Sequence, residues 1–252
     1  MKSKFSKPFT QQEPIAEDAV QRAVRVLQSG RLHRYNTFGD EIGEVAALEK
    51  EYAAYQGVDY CLATTSGGTA MQIALRALGV RPDDPVLTNA FTLAPVPGAV
   101  AAVGASPIFI ETTAELTLDI SDLEKKIETS GARVLMLSHM RGHMAAMEEL
   151  CALLEDHKVE LIEDCAHTMG ASWNGVKSGN FGRMACFSTQ TYKHINSGEG
   201  GFLTTNDPDM MAKATILSGS YMLFEKHEAR PAMSSFESAR FEMPNCSSRM
   251  DN

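Results

Sequence analysis

The segment FSTQTYKHINSGEGG, residues 187–201, carries a lysine whose surroundings could support chemistry. Lys193 lies five residues after Ser188 in a polar loop, and the turn Gly-Glu-Gly-Gly follows it. A lysine amine that is partly desolvated has a lowered pKa and can form a Schiff base with a carbonyl cofactor. A lysine in such a polar loop can equally be an ordinary solvated charge on the protein surface. Only other residues of a shared site can separate the two interpretations.

A pair of carboxylates, Glu163 and Asp164, follows the apolar run VELI, and His167 comes three residues after the aspartate. A carboxylate at the end of a buried strand is costly unless a cation or a hydrogen-bond donor accompanies it. One interpretation pairs Asp164 with a protonated pyridine nitrogen, which makes the ring an electron sink. The other makes the aspartate a helix N-cap and His167 a hydrogen-bonded histidine of the core.

The sequence Ser66-Gly67-Gly68-Thr69 lies between a predicted strand and a predicted helix. Glycines allow the backbone to approach an anion, and a helix N-terminus offers unpaired N–H groups and a favourable dipole. The segment therefore indicates a phosphate-binding turn, although a plain strand–helix connection has the same composition. It is neither a Walker A loop nor a Gly-x-Gly-x-x-Gly fingerprint, because the residues that define those motifs are missing.

Apolar strands alternate with helices along the chain, which predicts a mainly parallel sheet covered on both faces, a three-layer α/β/α architecture. The predicted strands are DYCLATT, DPVLTNA, SPIFIE, RVLMLSH, VELIED, ACFST and GFLTT. Ligands of such sheets bind beyond the carboxyl ends of the strands, and all three groups of polar residues follow strands. Together they match the components of a pyridoxal 5′-phosphate site: a phosphate cradle, a ring-nitrogen carboxylate and a loop lysine.

The apolar positions of EIGEVAALEKEYAAYQG recur at helical spacing. The predicted apolar face of this helix consists of Ile42, Val45, Leu48, Tyr52 and Tyr55. Along the whole chain we predict an N-terminal helical segment over residues 1–30, a large cofactor-binding domain over 31–220, and an irregular tail over 221–252.

Composition excludes several other classes of partner. The formal net charge is −9 without any basic run, which disfavours a nucleic acid or an anionic membrane as partner. The N-terminus has no apolar segment of a signal peptide, and no apolar run approaches the roughly 20 residues that span a bilayer. The five cysteines are scattered and odd in number, which is typical of a reducing compartment. We therefore expect a cytoplasmic protein.

Two other chemistries deserve comparison with the cofactor site. His139 and His143 are four residues apart, the spacing of two zinc ligands on one helix face, but Gly142 intervenes and no third ligand follows at a typical spacing. Cys165 follows Asp164 without an evident general base, so a nucleophilic cysteine has little support. We predict no metal site.

The region from LIEDCAHTMGASWNGVKSGNFGRMACFS to SGEGG resembles the DegT/DnrJ-type sugar aminotransferases, a branch of the fold type I (aspartate aminotransferase) superfamily. The shared pattern is a strand that ends in Glu-Asp, a His or Gln three residues after the Asp, and a Gly-x-x-Gly segment. A Phe-Ser follows, then a Lys five residues after that Ser, and Gly-Glu-Gly-Gly. Every one of these features is present, and a looser resemblance extends from about residue 28 to the C-terminal end.

The resemblance implies that the chain has the fold of the large domain of these transferases and binds pyridoxal 5′-phosphate. By this resemblance Lys193 carries the cofactor as a Schiff base and moves the proton, and Asp164 pairs with the pyridinium nitrogen. His167 corresponds to the position that contacts the phenolic oxygen of the ring, and Ser188 to a phosphate-binding hydroxyl.

The glycines and the ring-stacking position depart in part from the family pattern. Gly67 and Gly68 align with the Gly-Thr whose amides hold the phosphate, so the threonine falls one residue late, as Thr69. The family generally stacks an aromatic residue on the ring where this chain has Leu93, and Phe91 is the candidate substitute.

The C-terminal part also departs from the family. NCSSRM resembles an Asn-x-Arg-Met segment whose Asn reaches the phosphate of the partner subunit, with Ser247 at the Asn position and Asn245 two residues earlier. We take Asn245 as the candidate. Family members continue for roughly another third, into a small domain.

The resemblance implies an aminotransferase that moves an amino group from an amino-acid donor, such as glutamate or glutamine, to a keto group on a sugar or cyclitol. It also implies a homodimer. A lysine at position 193 argues against a related dehydratase branch, which has histidine there. The remaining alternative is a protein of this fold that acts as a binding or regulatory module.

Overall fold

The computed structural model describes residues 12–244 and 247–252, and a seven-stranded sheet forms its centre. The strands are β1 (Tyr60–Thr64), β2 (Pro85–Asn89), β3 (Ser106–Ile110), β4 (Val134–Ser138), β5 (Glu160–Asp164), β6 (Ser172–Trp173), β7 (Val176–Lys177), β8 (Met184–Ser188) and β9 (Gly201–Thr205). The helices are α1 (Glu17–Ser29), α2 (Glu44–Gln56), α3 (Gly67–Ala77), α4 (Pro95–Ala102), α5 (Ile120–Ser130), α6 (Met147–His157), α7 (Pro208–Thr215) and α8 (Phe236–Ala239).

The strand order across the sheet is β1-β9-β8-β5-β4-β2-β3, while β6 and β7 form a separate hairpin. Strand β9 runs antiparallel to both of its neighbours, and the other neighbouring pairs are parallel. The predicted mainly parallel sheet is therefore confirmed. Parallel strands bring their carboxyl ends to one edge, so Thr64, Asp164 and Ser188 arrive at the same side of the sheet.

Side chains of the strands alternate between two apolar layers, as the pleat of a strand requires. One layer packs against α3, α4 and α7 and includes Leu62, Val86, Met136, Ile162, Met184, Cys186 and Leu203. The strand neighbours of these residues face the opposite way, in clusters that contain side chains of α2, α5 and α6. Because both faces of the sheet are covered, most strand residues are apolar on either side. The predicted three-layer α/β/α architecture is confirmed.

Helix α2 buries a face that is only partly the predicted one. Val45 and Tyr52 are buried as expected, but Ile42 precedes the helix and is exposed, and Tyr55 is exposed as well. The buried face also contains Glu49, a charged residue that was not among the predicted apolar positions. The prediction was wrong at Ile42 because the helix begins only at Glu44, and it missed Glu49 because a polar side chain with partners can be buried.

The carboxylate of Glu49 is fully buried and ties several segments together. Its two oxygens accept hydrogen bonds from Arg34, at 3.0 and 2.6 Å, and Oε1 also accepts one from the backbone N–H of Ala63 in β1. The imidazole of His227 lies 3.4 Å away. Arg34 also donates to the carbonyl of Met250. The cluster thus links α2, β1 and the C-terminal segment.

The described part of the predicted irregular tail, residues 221–244 and 247–252, contains only short helical turns besides α8, but its last residues are paired with β1. The backbone N–H of Thr65 donates to the carbonyl of Ser248, and the N–H of Met250 donates to the carbonyl of Ala63. The division of the chain at residues 30 and 220 stays a prediction. Across residues 12–244 and 247–252, no helix is long and apolar enough to cross a membrane.

Replacing Glu49 by glutamine should destabilise the fold, because it leaves the Arg34 guanidinium buried, with 2% of its side chain exposed, and without a counter-charge. We expect a loss of about 3–5 kcal/mol in the free energy of unfolding, measured by urea denaturation near neutral pH. Burial raises the pKa of Glu49, but His227 and Arg34 outweigh burial and lower the pKa to about 2. The advantage of the wild type should therefore be complete above about pH 5 and shrink as the pH falls toward about 2.

The exposed pair of Arg31 and Glu41 is the matched control, since it joins the same residue types in the same bidentate way. Glu41→Gln should change stability far less, because water screens an exposed pair. Equal losses in the two variants would contradict the role given to Glu49.

Candidate active site

A cavity of about 360 Å³ opens at the carboxyl ends of the strands. Its walls include six residues predicted from the sequence: Gly67, Gly68, Asp164, His167, Ser188 and Lys193. The fold therefore brings the glycine turn, the strand-end carboxylate and the loop lysine to one place, although more than one hundred residues separate the first from the last.

The glycine turn forms the N-terminus of α3 and lies directly against β8 and β9. Ser66 caps the helix, with its Oγ accepting from the N–H of Thr69 at 3.0 Å. In the described part of the chain, the N–H groups of Gly67 and Gly68 have no acceptor, as expected for the first turn of a helix. A Cβ on Gly67 would lie 3.0 Å from that of Ser188, and one on Gly201 would lie 2.5 Å from Gly67 N. This is a backbone cradle that suits an anion.

Asp164 ends β5 with both carboxylate oxygens occupied by donors. Ser138 Oγ donates to Oδ2 at 2.8 Å, and the N–H of Ala166 donates to Oδ1 at 3.1 Å. Asn89 fixes Ser138 in turn, accepting from its N–H at 2.8 Å and donating to its carbonyl at 3.0 Å. Each carboxylate oxygen of Asp164 thus accepts a hydrogen bond, and Ser138 is held in turn by a second side chain.

Glu163 points to the opposite face of the sheet, where it is fully buried. Its Oε1 accepts from the N–H groups of Phe181 and Gly182, and its Oε2 accepts from the N–H of Gly179, each at 2.8 Å. Oε2 also lies 2.9 Å from Nε2 of His139. With these four partners, Glu163 stabilises the segment between β7 and β8, and it does not contribute to the cavity.

The residues weighed above as zinc ligands or as a cysteine nucleophile have other contacts in the structure. Candidate ligand atoms of His139, Glu163 and Cys165 come within 4.8 Å of one another, but the hydrogen bonds described above already use the carboxylate. His143 does not join them, because its ring packs edge-on toward Phe91, with centroids 6.2 Å apart. Burial, together with Glu163 and Asp164, raises the pKa of the Cys165 thiol, which disfavours a thiolate nucleophile.

Lys193 is half-buried, and its Nζ lies 2.8 Å from Nε2 of His167. Burial lowers the pKa of Lys193, the charge of Arg141 lowers it further, and the charge of Asp164 opposes both. Burial also lowers the pKa of His167, and the neighbouring Lys193 adds to this effect. The site thus favours a neutral amine beside a neutral imidazole more than water does.

Two predicted residues in the described part of the chain, Thr69 and Phe91, are not among those that line the cavity. Thr69 turns its hydroxyl to Ser66 Oγ, 2.9 Å away, so it belongs to the cap of α3. Phe91 packs near His143, and Leu93, with 42% of its surface exposed, lines the cavity instead. Asn245 lies outside the described residues.

Ser138 and Glu199 also line the cavity and were not among the predicted site residues. A sequence signal for Ser138 exists, because β4 and β5 pair in parallel with Ser138 opposite Asp164. Aligning the ends of the two predicted strands would have placed the hydroxyl beside the carboxylate. Glu199 lies within the Gly-Glu-Gly-Gly turn, where nothing in the spacing distinguishes a cavity residue from a solvated one.

Comparison with known proteins places these features in a family. Residues 13–251 match the DegT/DnrJ/EryC1/StrS aminotransferase family. GDP-perosamine synthase from Caulobacter vibrioides is 35% identical over 179 residues, which cover 71% of this chain and 48% of that protein. L-glutamine:2-deoxy-scyllo-inosose aminotransferase from Streptomyces lividus is 32% identical over 203 residues, covering 80% and 48% of the two chains.

A solved structure shares the architecture as well. DesV from S. venezuelae, in complex with a ketimine intermediate, superposes with a TM-score of 0.75 and 32% identity, over 93% of this chain and 58% of that one. The chain spans about half the length of the curated relatives it matches. By the extent of these matches, the chain belongs to the DegT/DnrJ/EryC1/StrS aminotransferase family.

Proposed function

We propose that this chain binds pyridoxal 5′-phosphate and acts as an aminotransferase, moving an amino group from an amino-acid donor to a keto group on a sugar or cyclitol. The observation that carries the proposal is the position of Lys193, whose half-buried amine shares one cavity with Asp164 and the glycine cradle. Family membership supports the same reaction class.

The polar groups of the cavity fit the phosphate end of this cofactor. Gly67 and Gly68 offer two N–H groups at the N-terminus of α3, and Ser188 adds a hydroxyl on the neighbouring strand. A helix N-terminus with free amides binds phosphate through both hydrogen bonds and the helix dipole. We assign phosphate binding to these three residues. Asn245 of a second copy of the chain stays a predicted further ligand, from the sequence alone.

The other end of the cavity fits the pyridine ring. Asp164, held by Ser138 and Ala166, would bind the protonated ring nitrogen, and His167 would bind the phenolic oxygen. When bound, pyridoxal phosphate supplies an electrophilic carbonyl carbon and a ring that accepts electrons. Leu93 and Met140 supply apolar surface at the cavity, and Leu93 is our candidate for the ring face in place of Phe91.

Lys193 would serve both as the attachment point and as the base. With its pKa lowered by burial, the amine is more often neutral near physiological pH than a surface lysine, as attack on a carbonyl requires. With an amino donor in the cavity, the same amine would take the proton from Cα of the donor. General acid–base catalysis of this kind contributes about 10²- to 10⁴-fold in rate.

The identity of the residue at the catalytic position argues against the dehydratase alternative. Lys193 lines the cavity and contacts His167, whereas the adjacent His194 is not among the residues that line it. The glutamine donor and the cyclitol acceptor named for the Streptomyces lividus relative suggest the corresponding substrate classes here.

Assembly and location complete the proposal. We infer a homodimer, a prediction supported by exposed apolar side chains beside the cavity at Leu93, Tyr192 and Ile195. We also infer a cytoplasmic location, which the four free cysteines of the described residues support.

Lys193→Ala should abolish covalent attachment of pyridoxal phosphate. The protein is incubated with the cofactor and reduced with borohydride, and the labelled peptide is identified by mass spectrometry. The wild type should carry the label at Lys193, and Lys50→Ala, which removes an exposed lysine of α2, should be labelled like the wild type. A folded wild type without a label at Lys193 would refute the assignment.

Asp164→Asn should lower the pKa of Lys193 further, because the carboxylate charge is the contribution that raises it. The reaction rate of Lys193 with an amine-reactive reagent, followed against pH in the cofactor-free protein, reports the neutral fraction of the amine. We expect the midpoint of the rate profile to move to lower pH in Asp164→Asn and to stay in place in Glu160→Gln, at the far end of the same strand. A midpoint that moves upward would show that Asp164 does not act on Lys193 through its charge.

A further inference from the structure

Arg141 has an unusual backbone conformation directly after Met140, which lines the cavity. It follows β4 in the turn Met140–Gly142, with φ 55° and ψ 22°, in the left-handed region. A residue with a Cβ is strained there by about 1–2 kcal/mol, and such strain is concentrated at functional sites.

The backbone of Arg141 contacts the proposed catalytic pair. Its N–H donates to Nδ1 of His167 at 3.2 Å, and Nε2 of the same ring lies 2.8 Å from Nζ of Lys193. Because Nδ1 accepts a hydrogen bond, the neutral ring carries its hydrogen on Nε2, facing the amine. One imidazole ring thus separates the backbone of Arg141 from the reactive amine.

The side chain of Arg141 is exposed, and in the described part of the chain its guanidinium has no hydrogen-bond or ion-pair partner. Arg141 directly follows Met140, which lines the cavity, and its charge lowers the pKa of both Lys193 and His167. The carboxylate of Asp164 in the same cavity already accepts hydrogen bonds from Ser138 and Ala166. An anionic ligand that enters here would find a cation free to bind it.

We propose that Arg141 binds the α-carboxylate of the amino-acid donor. The inference rests on the proposed aminotransferase function. The donor nitrogen must reach the place of the Lys193 amine, and an α-carboxylate is only two bonds from that nitrogen. A guanidinium binds a planar carboxylate through two parallel hydrogen bonds. A phosphate group is a poorer match for Arg141, because the cofactor phosphate already has a proposed site at Gly67 and Gly68, at the N-terminus of α3.

The first experiment uses Arg141→Gly, which removes the guanidinium while keeping the N–H to His167 and tolerating a positive φ. Conversion of the cofactor-loaded protein is followed by absorbance with L-glutamine and with 4-aminobutanamide, the same amine without its α-carboxylate. We expect kcat/KM for L-glutamine to fall about 10- to 100-fold, the effect of losing hydrogen bonds to a charged group, and the rate with 4-aminobutanamide to stay within about twofold. Arg141→Lys should recover part of the loss.

Arg133→Ala is the matched control, because Arg133 is an exposed arginine directly before β4, at the other end of the strand that Arg141 follows. It should leave both reactions unchanged. An equal loss with both amines in Arg141→Gly would mean that the residue only supports the turn, and would overturn the proposal.

A binding measurement separates this inference from the proposed function. 2-Aminoisobutyrate has an α-carboxylate but no α-hydrogen, so it reports binding without transfer. In calorimetric titrations of the loaded protein, Arg141→Gly should raise its Kd by about tenfold or more relative to the wild type and Arg133→Ala. Equal Kd values in the wild type and Arg141→Gly would overturn the proposal even if transamination occurs. A raised Kd without transfer from any donor would support the carboxylate site and count against the aminotransferase assignment.

Discussion

A carboxylate that is almost completely withdrawn from water, at the end of a buried strand, constrains much of the surrounding structure. Desolvation of Asp164 would cost several kcal/mol without compensating hydrogen bonds. The donors come from two directions, from Ser138 on the adjacent strand and from the backbone of Ala166. Asn89, on the strand beyond, holds Ser138. Three parallel strands in succession, β2, β4 and β5, thus end in side chains whose positions depend on one negative charge.

The neighbouring carboxylate shows why position on a strand decides the role of an acid. Glu163 and Asp164 differ by one residue, so the pleat sends them to opposite faces of the sheet. Glu163 meets three backbone N–H groups and the ring of His139, which leave it no capacity for a ligand. Asp164 meets two donors and the cavity. A shift of register by one residue would exchange these environments and turn the Asp164 carboxylate away from the cavity.

The sequence was most informative where local pattern and tertiary structure agree. Most strands of the sheet were predictable because they are largely buried and therefore mainly apolar, although only Ile110 of the edge strand β3 is buried. Helix α5 was not among the predicted elements, since only Leu123 and Ile127 of its eleven residues are buried and its remaining surface is mostly charged or polar. The β6–β7 hairpin was also missed, although Asn174-Gly175 between its two strands is a strong turn signal. At the site, spacing identified Lys193 and Asp164, but the donors that hold Asp164 come from other strands and needed the strand register.

The buried ion pair of Arg34 and Glu49 bears on the site although it contributes no residue to it. Every described residue that lines the cavity lies in the range from Ser66 to Glu199, so α2 and the described part of the C-terminal segment act through contacts with that core. Glu49 accepts from Ala63, one residue before the end of β1, and the N–H of Thr65 is held by the carbonyl of Ser248. The glycine cradle starts two residues later. A free amide binds an anion well only if its direction is set before the anion arrives, since otherwise binding must also order the turn. The ion pair behind β1 and the paired C-terminal residues together supply that order, which connects the stability of the fold to the geometry of the proposed phosphate site.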